Sequence, residues 1–235
     1  MQEDAVARQR DYYKQTAARY NEAHAGDVEH VLALNFLLGV MDHFGFSSLL
    51  DVGAGTGRTL LQIRQKRPEL EVTGIEPVES LRQVGYAQGM RGEELLPGDA
   101  TALPFKDGSF DVVTEFAVLH HVKDSRAVIS EMFRVARKGI FISDSNLFGQ
   151  GRPALKFAKR VLSFAGLWPL ARFINTRGKG YKISEGDGLF YPYSAFQDYM
   201  FIRKRCSAVH ILNTSGEGVN AYAGATAIAL LGIKK

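Results

Sequence analysis

A chain of 235 residues that is 46% hydrophobic and 23% charged has the length and make-up of a globular domain. Its single Cys206 excludes an internal disulfide framework. No apolar run reaches the ~20 residues that span a bilayer. A net charge of +4 is mild, so the distribution of charge says more about partners than its total. The opening MQEDAVARQRDYYKQ lacks the apolar core of a secretory signal, and with the lone cysteine it leads to the expectation of a reducing, cytoplasmic location.

In chain order, the spacing of Tyr13, Ala17 and Tyr20 at i, i+4 and i+7 predicts a helix over 3–22. A second helix is predicted over 28–44, ended by Gly45. An alternating series follows: strand 48–53, helix 57–67, strand 71–76, helix 78–88, strands 94–98 and 111–117, helix 124–137 and strand 139–145. Strands separated by helices predict βαβ units, a mostly parallel sheet and helices on both faces. Residues 146–205 break the rhythm with a Gly/Pro-punctuated, aromatic and basic segment carrying a late helix at 194–204. The apolar runs 206–214 and 223–233, parted by SGEGVN, read as an antiparallel hairpin added to the sheet.

LLDVGAGTG places glycines at 53, 55 and 57 after the first strand of the series, where an open α/β sheet binds its ligand. The nicotinamide fingerprint G-x-G-x-x-G fails, because its sixth position is Arg58. Glu76 ends the next strand, where a carboxylate can accept both hydroxyls of a ribose, and Asp99 follows the third, where it can accept from an adenine amino group. Two acids and a glycine turn suit a nucleoside cofactor that has no pyrophosphate to cradle.

LLDVGAGTG, VTGIEP, GDATALPFKDGSFDVV and LHHVKD stand in an order and spacing that resemble the class I S-adenosylmethionine-dependent methyltransferases, in particular the methyltransferase type 11 family. The resemblance covers roughly residues 10–145. It implies a Rossmann-like sheet of seven strands, mostly parallel with the last antiparallel. It divides a single domain into an N-terminal helical lid (1–45), a cofactor-binding core (46–145), an acceptor-binding insertion between strands five and six (146–205) and a C-terminal β-hairpin (206–235).

The resemblance also implies roles for individual residues. Gly53, Ala54 and Gly55 would line the methionine and ribose portions of S-adenosylmethionine. Asp51 would orient the turn or meet the amino group. Glu76 would hold the ribose with Pro77 beside the adenine, and Asp99 and Ala100 would meet the adenine edge. Glu115 and Phe116 would present backbone toward the methionyl end. Tyr13, Ala17, Tyr20 and Asn21 match a helix that closes over the cofactor, although the tyrosines serve equally as that helix's packing face.

Methyl transfer to a hydroxyl needs the proton removed, and a histidine does this near neutral pH. His120 is the expected base and Asp144 its orienter, an arrangement that looks like the His–Asp dyad of some sugar and natural-product O-methyltransferases of this group; equally, one histidine of the pair supports the cofactor pocket and Asp144 is a helix or turn cap. His121 is a cofactor-side or structural residue. Relatives that bind a divalent metal carry carboxylates where this chain has Ala117 and His120, so no metal is expected.

From Ser145 through Ser184 there is no acidic residue, whereas Arg152, Lys156, Lys159, Arg160, Arg172, Arg177, Lys179 and Lys182 are basic. This basic, aromatic segment fits an anionic acceptor or a membrane surface, or a solvated cover over the site. Asp187, Tyr191 and Tyr193 in ISEGDGLFYPYSAF offer hydroxyl and carboxylate groups to a polar acceptor, or form a structural turn. The expected function is O-methylation of a small polar or anionic acceptor, sugar-like or a natural-product metabolite. The alternatives are N- or C-methylation of another small molecule, RNA or protein, and a cofactor-binding regulator without catalysis. No NPPY-type amino clamp follows the fourth strand, which reads TEFA, and no nucleic-acid-binding module is present, so nucleic acid is the weaker partner class.

Overall fold

The computed structural model describes residues 2–24, 26–216 and 218–235. The predicted turn SGEGVN contains Glu217, which lies outside the described residues, as do Met1 and Ala25 of the N-terminal segment. The helix expected over 3–22 is interrupted: α1 (Gln2–Thr16) passes through a 3-10 turn at Ala17–Arg19 into α2 (Tyr20–Ala23). The Thr16 hydroxyl donates to the Tyr12 carbonyl at 3.0 Å, a local bond that competes with the helical ladder. Tyr13, Ala17 and Tyr20 nevertheless share one apolar cluster with Val78 and Leu81.

α3 (Val28–Phe44) ends as expected at Gly45, whose φ of +61° a side chain would disfavour. Next come β1 (Ser48–Val52), α4 (Arg58–Lys66), β2 (Glu71–Ile75) and α5 (Glu79–Ala87). β3 is only Leu95–Leu96, shorter than the run expected at 94–98. β4 (Phe110–Phe116), α6 (Ser125–Val135) and β5 (Ala136–Ser145) follow, so the expected helix gives way to strand at Ala136. The Asp124 carboxylate caps α6 by accepting from the Ala127 amide at 3.1 Å.

The irregular segment contains more regular structure than its punctuation suggests. It forms α7 (Pro153–Phe164), α8 (Trp168–Asn175) and a small antiparallel pair, β6 (Lys182–Ser184) and β7 (Gly188–Phe190). The helix expected over 194–204 splits into a 3-10 turn at Ala195–Gln197 and α9 (Tyr199–Arg203). β8 (Cys206–Asn213) and β9 (Ala227–Lys234) complete the chain.

The main sheet has seven strands in the order β3-β2-β1-β4-β5-β9-β8. β9 runs antiparallel to both β5 and β8, and the other strand pairs are parallel. The last strand therefore inserts inside the sheet, and β8 forms the edge. Side chains alternate across the sheet with period two: Leu50, Val113 and Ile140 pack with Val128, Ile129 and Met132 of α6, while Leu49, Val112 and Phe141 pack with Leu34, Leu37 and Met41 of α3. Burial on both faces explains why these strands read as continuous apolar runs. Strand order reverses beside β1, and Asp51, Glu76, Glu115 and Asp144 lie at or just past the carboxyl ends of β1, β2, β4 and β5.

The buried Asn146 ties the end of β5 to the late loops. Its amide donates to the carbonyls of Ala221, Tyr222 and Ala225, and its Oδ1 accepts from the Phe148 amide and the Ser194 hydroxyl. No helix among the described residues is long and apolar enough to cross a membrane.

Candidate active site

Two cavities open along the carboxyl edge of the sheet. The larger, about 1060 Å³, is lined by Tyr13, Tyr20, Gly53, Gly55, Glu76, Pro77, Asp99, Ala100, Phe116 and His121, ten of the residues expected to meet a cofactor. The smaller, about 530 Å³, is lined by His120, Asp144, Asp187, Tyr191 and Tyr193, and also by Asp51 and Ala54. Tyr20, Gly53, Phe116, Ala117 and Tyr191 border both, and so form a waist between them.

The glycine turn explains how the backbone reaches the larger cavity. Gly53, Gly55 and Gly57 all have positive φ, at +72°, +57° and +73°. A Cβ on Gly53 would also stand 2.6 Å from Cγ2 of Val118, so bulk is excluded at the waist. Ala117 has a φ of +60°, an uncommon conformation for a residue with a side chain, and its amide donates to the Ser143 carbonyl at 2.8 Å. Residue spacing gives no sign of this role of Ala117, because backbone strain leaves no mark on it.

Glu76 is buried and accepts from the amides of Gly55 at 3.0 Å and Val78 at 2.8 Å. Its carboxylate thereby fastens the glycine turn to the end of β2. Burial pushes its pKa up to about 7, against the two amide hydrogen bonds that lower it. Asp51 is also raised to about 7 by burial; its carboxylate accepts from the Thr114 hydroxyl at 2.9 Å, so its partner is β4 and not the turn. Asp99 is held below the usual carboxylate range by hydrogen bonds from Thr101, and Arg10 of α1 pairs with it at 3.5 Å. An adenine amino group would therefore share Asp99 with Arg10, a neighbour that local spacing did not reveal.

His120 and Asp144 are brought together. The His120 Nδ1 stands 2.8 Å from Oδ1 of Asp144, and the His120 amide donates to Oδ2 at 3.2 Å. A buried carboxylate in that position favours the tautomer with the proton on Nδ1, which leaves Nε2 as the acceptor. Burial acts to lower the His120 pKa, but the charge and hydrogen bond of Asp144 outweigh it and the pKa is raised. Asp144 is itself held below the usual range, its burial outweighed by His120 and by backbone amides. The neighbouring Glu115 goes the other way: burial and the Asp144 charge raise its pKa well above the usual value. Two adjacent carboxyls are thus driven in opposite directions, Asp144 toward its charged form and Glu115 toward its neutral one.

His121 is occupied differently. Its Nδ1 lies 2.8 Å from the Leu189 carbonyl and its Nε2 lies 2.9 Å from the Tyr13 hydroxyl. Burial and the adjacent His120 push its pKa down to about 3, so the ring is neutral and holds α1 against β7. Gln9 adds to this junction by donating to the Asp187 carbonyl at 2.9 Å. Among the described residues, His120, His121 and Asp187 place three potential metal-ligand atoms within 4.8 Å of one another. Both His121 nitrogens already have protein partners, which leaves that ring without a spare lone pair.

Asp187 is exposed at the cavity wall, and the Tyr191 amide donates to the His120 carbonyl at 2.7 Å. Tyr193 is held from the far side of the wall. Its ring borders the smaller cavity, but its hydroxyl donates to Asp198 at 3.2 Å and is buried in the core cluster. The aspartate that precedes α9 takes the phenol's proton-donating side, so toward an acceptor the Tyr193 oxygen can offer only its lone pairs. The wall also contains His24, Asp27, His30 and Arg58, which sequence reasoning passed over. Burial lowers the His30 pKa to about 4, and its ring packs 4.7 Å from that of Phe116.

Residues 50–143 match a family model described as a methyltransferase domain. A demethylmenaquinone methyltransferase of Roseiflexus castenholzii is 34% identical over 146 residues, which is 61% of this chain and 60% of that protein. Norajmaline N-methyltransferase of Rauvolfia serpentina is 36% identical over 97 residues, 39% of this chain and 33% of that one. The chain thus spans at most 60% of the length of these curated relatives. Among solved structures, a possible histamine N-methyltransferase from Thermotoga maritima aligns over 96% of this chain and 99% of its own, with a TM-score of 0.61 and 16% identity. Magnesium protoporphyrin IX methyltransferase from Synechocystis, solved with S-adenosylhomocysteine, covers 96% and 97% with a TM-score of 0.61 and 15% identity. Likenesses at that identity concern the fold.

Proposed function

We propose that this chain, whose residues 50–143 match a methyltransferase domain, is an S-adenosylmethionine-dependent class I methyltransferase that methylates a small hydroxyl-bearing acceptor with His120 as the general base. The observation that carries this reading is a waist joining two cavities, with a glycine turn and a buried acid on one side and the His120–Asp144 pair on the other.

The larger cavity fits the cofactor. Gly53 and Gly55 expose backbone there, and Glu76 retains lone pairs beyond its two amide bonds with which to accept ribose hydroxyls. When bound, the cofactor supplies an electrophilic methyl group on a sulfonium. Phe116, Tyr20 and Tyr191 exclude water from the waist, and Ala117 keeps it open. His120 Nε2 takes the acceptor's hydroxyl proton, and Asp144 stabilises the imidazolium that results. The α1 segment and the β6–β7 pair, joined through Gln9 and His121, are assigned the lid and one wall of the acceptor site.

The acceptor atom assigned is oxygen. A second reading, methylation at the ring carbon of a hydroxyarene, is favoured by the demethylmenaquinone methyltransferases among the relatives. The same dyad serves it, because removing a phenolic proton also enriches the ring carbons. The test is turnover with S-adenosylmethionine labelled at the methyl carbon, with products read by carbon NMR. A methoxy resonance is expected; a methyl on a ring carbon selects the second reading; exclusive N-methyl products would contradict both.

A further inference from the structure

α7 and α8 are built inside out. Phe157, Val161 and Phe164 of α7 recur at helical spacing and are 63%, 48% and 97% exposed. Leu170, Phe173 and Ile174 of α8 are 58%, 60% and 68% exposed. Neither helix buries a residue. On α7 the polar side faces the protein, where the Lys159 ammonium donates to the carbonyls of Leu147 and Gln150 at 3.0 Å; α8 turns Trp168 inward, its ring 5.7 Å from that of Phe148, and leaves Leu170, Phe173 and Ile174 outside. A helix on the surface of a soluble protein turns its apolar stripe inward, so an outward stripe of this size needs a cover.

The charges identify the cover. Arg152, Arg177, Lys179 and Lys182 are exposed around the two helices, and the segment from Ser145 through Ser184 contains no acid. A second copy meeting this face with its own α7 and α8 would bring cations against cations with no carboxylate between them. An anionic bilayer supplies an apolar interior for the phenylalanines and phosphates for the cations, whose alkyl stems can follow the apolar face to the headgroups. We infer that α7 and α8 form a docking surface for an anionic lipid bilayer, lying in its interfacial plane. The helices are fastened to the acceptor site, because Leu147 and Gln150 line the smaller cavity and Tyr181, which follows α8, contacts the ring of Tyr191 at 6.3 Å.

The test is co-sedimentation with vesicles of phosphatidylcholine alone and of phosphatidylcholine mixed with phosphatidylglycerol. The native chain is expected to bind the anionic vesicles at least about tenfold more tightly, with release as salt rises. Phe157→Ser, Phe164→Ser and Phe173→Ser together should reduce binding to both vesicle types. Arg152→Glu, Lys179→Glu and Lys182→Glu together should abolish the anionic preference. Both variants should bind S-adenosylmethionine as the native chain does, a check that they are folded. Equal binding of native protein to the two vesicle types, or full anionic binding by both variants, would overturn the inference. So would a native dimer in sedimentation that the phenylalanine variant converts to monomer, since the face would then belong to a second copy.

Discussion

His120→Ala is expected to lower turnover by roughly 10²–10⁴-fold, the usual cost of removing a positioned base. Cofactor affinity should stay close to native, because His120 borders the smaller cavity and not the larger. The base works only when neutral, and Asp144 holds its proton more tightly than an ordinary imidazole does. Native turnover should therefore rise with pH and level off above the ordinary histidine value of about 6.5. Asp144→Asn removes the charge that raises the His120 pKa, so the inflection should move to lower pH while the plateau falls. His120→Ala should lose the inflection. Steady-state rates across pH, with cofactor binding followed by calorimetry, check all of these. An unchanged rate and profile in His120→Ala would remove the base assignment.

Glu76→Gln is expected to weaken S-adenosylmethionine binding by about ten- to a hundredfold, equivalent to roughly 1–3 kcal/mol for a charged hydrogen bond. The amide keeps the shape of the carboxylate but offers one donor group to a site with two donating amides, Gly55 and Val78. It therefore loosens the glycine turn and also gives up a ribose contact. The pKa of Glu76, raised to about 7, adds a pH signature. Ribose hydroxyls donate to the ionised form, so native affinity should fall as pH drops through about 7, and binding below that pH should release a proton. Calorimetry in two buffers of different ionisation enthalpy measures that release. Glu76→Gln should lose that release, because the amide does not titrate in this range. Native-like affinity with undiminished proton release would mean that Glu76 does not hold the cofactor.

The elements along the carboxyl edge were legible because their signals are local. A glycine turn after an apolar run and an acid at the end of the next strand mark positions in a βαβ series whatever lies elsewhere. The His120–Asp144 pairing was legible for a related reason: β4 and β5 are neighbours in this topology, which brings the loop after β4 beside the carboxyl end of β5. The Asp198 partner of Tyr193 was not legible, because it sits across a 3-10 turn whose geometry the residue types do not determine. The inside-out setting of α7 and α8 was hidden for another reason. Amphipathic spacing defines two faces but not which of them meets the protein, and here backbone carbonyls of Leu147 and Gln150 capture the lysine side. The waist residue Ala117 was not assigned a role because its position depends on φ, not on chemistry.

The most direct test of two cavities meeting at a waist is a crystal structure with S-adenosylhomocysteine. The expected result is ribose hydroxyls on Glu76, and the sulfur at the Gly53–Phe116–Ala117 waist, facing the side on which His120 Nε2 lies. A sulfur turned away from that waist, or a ribose held without Glu76, would contradict it.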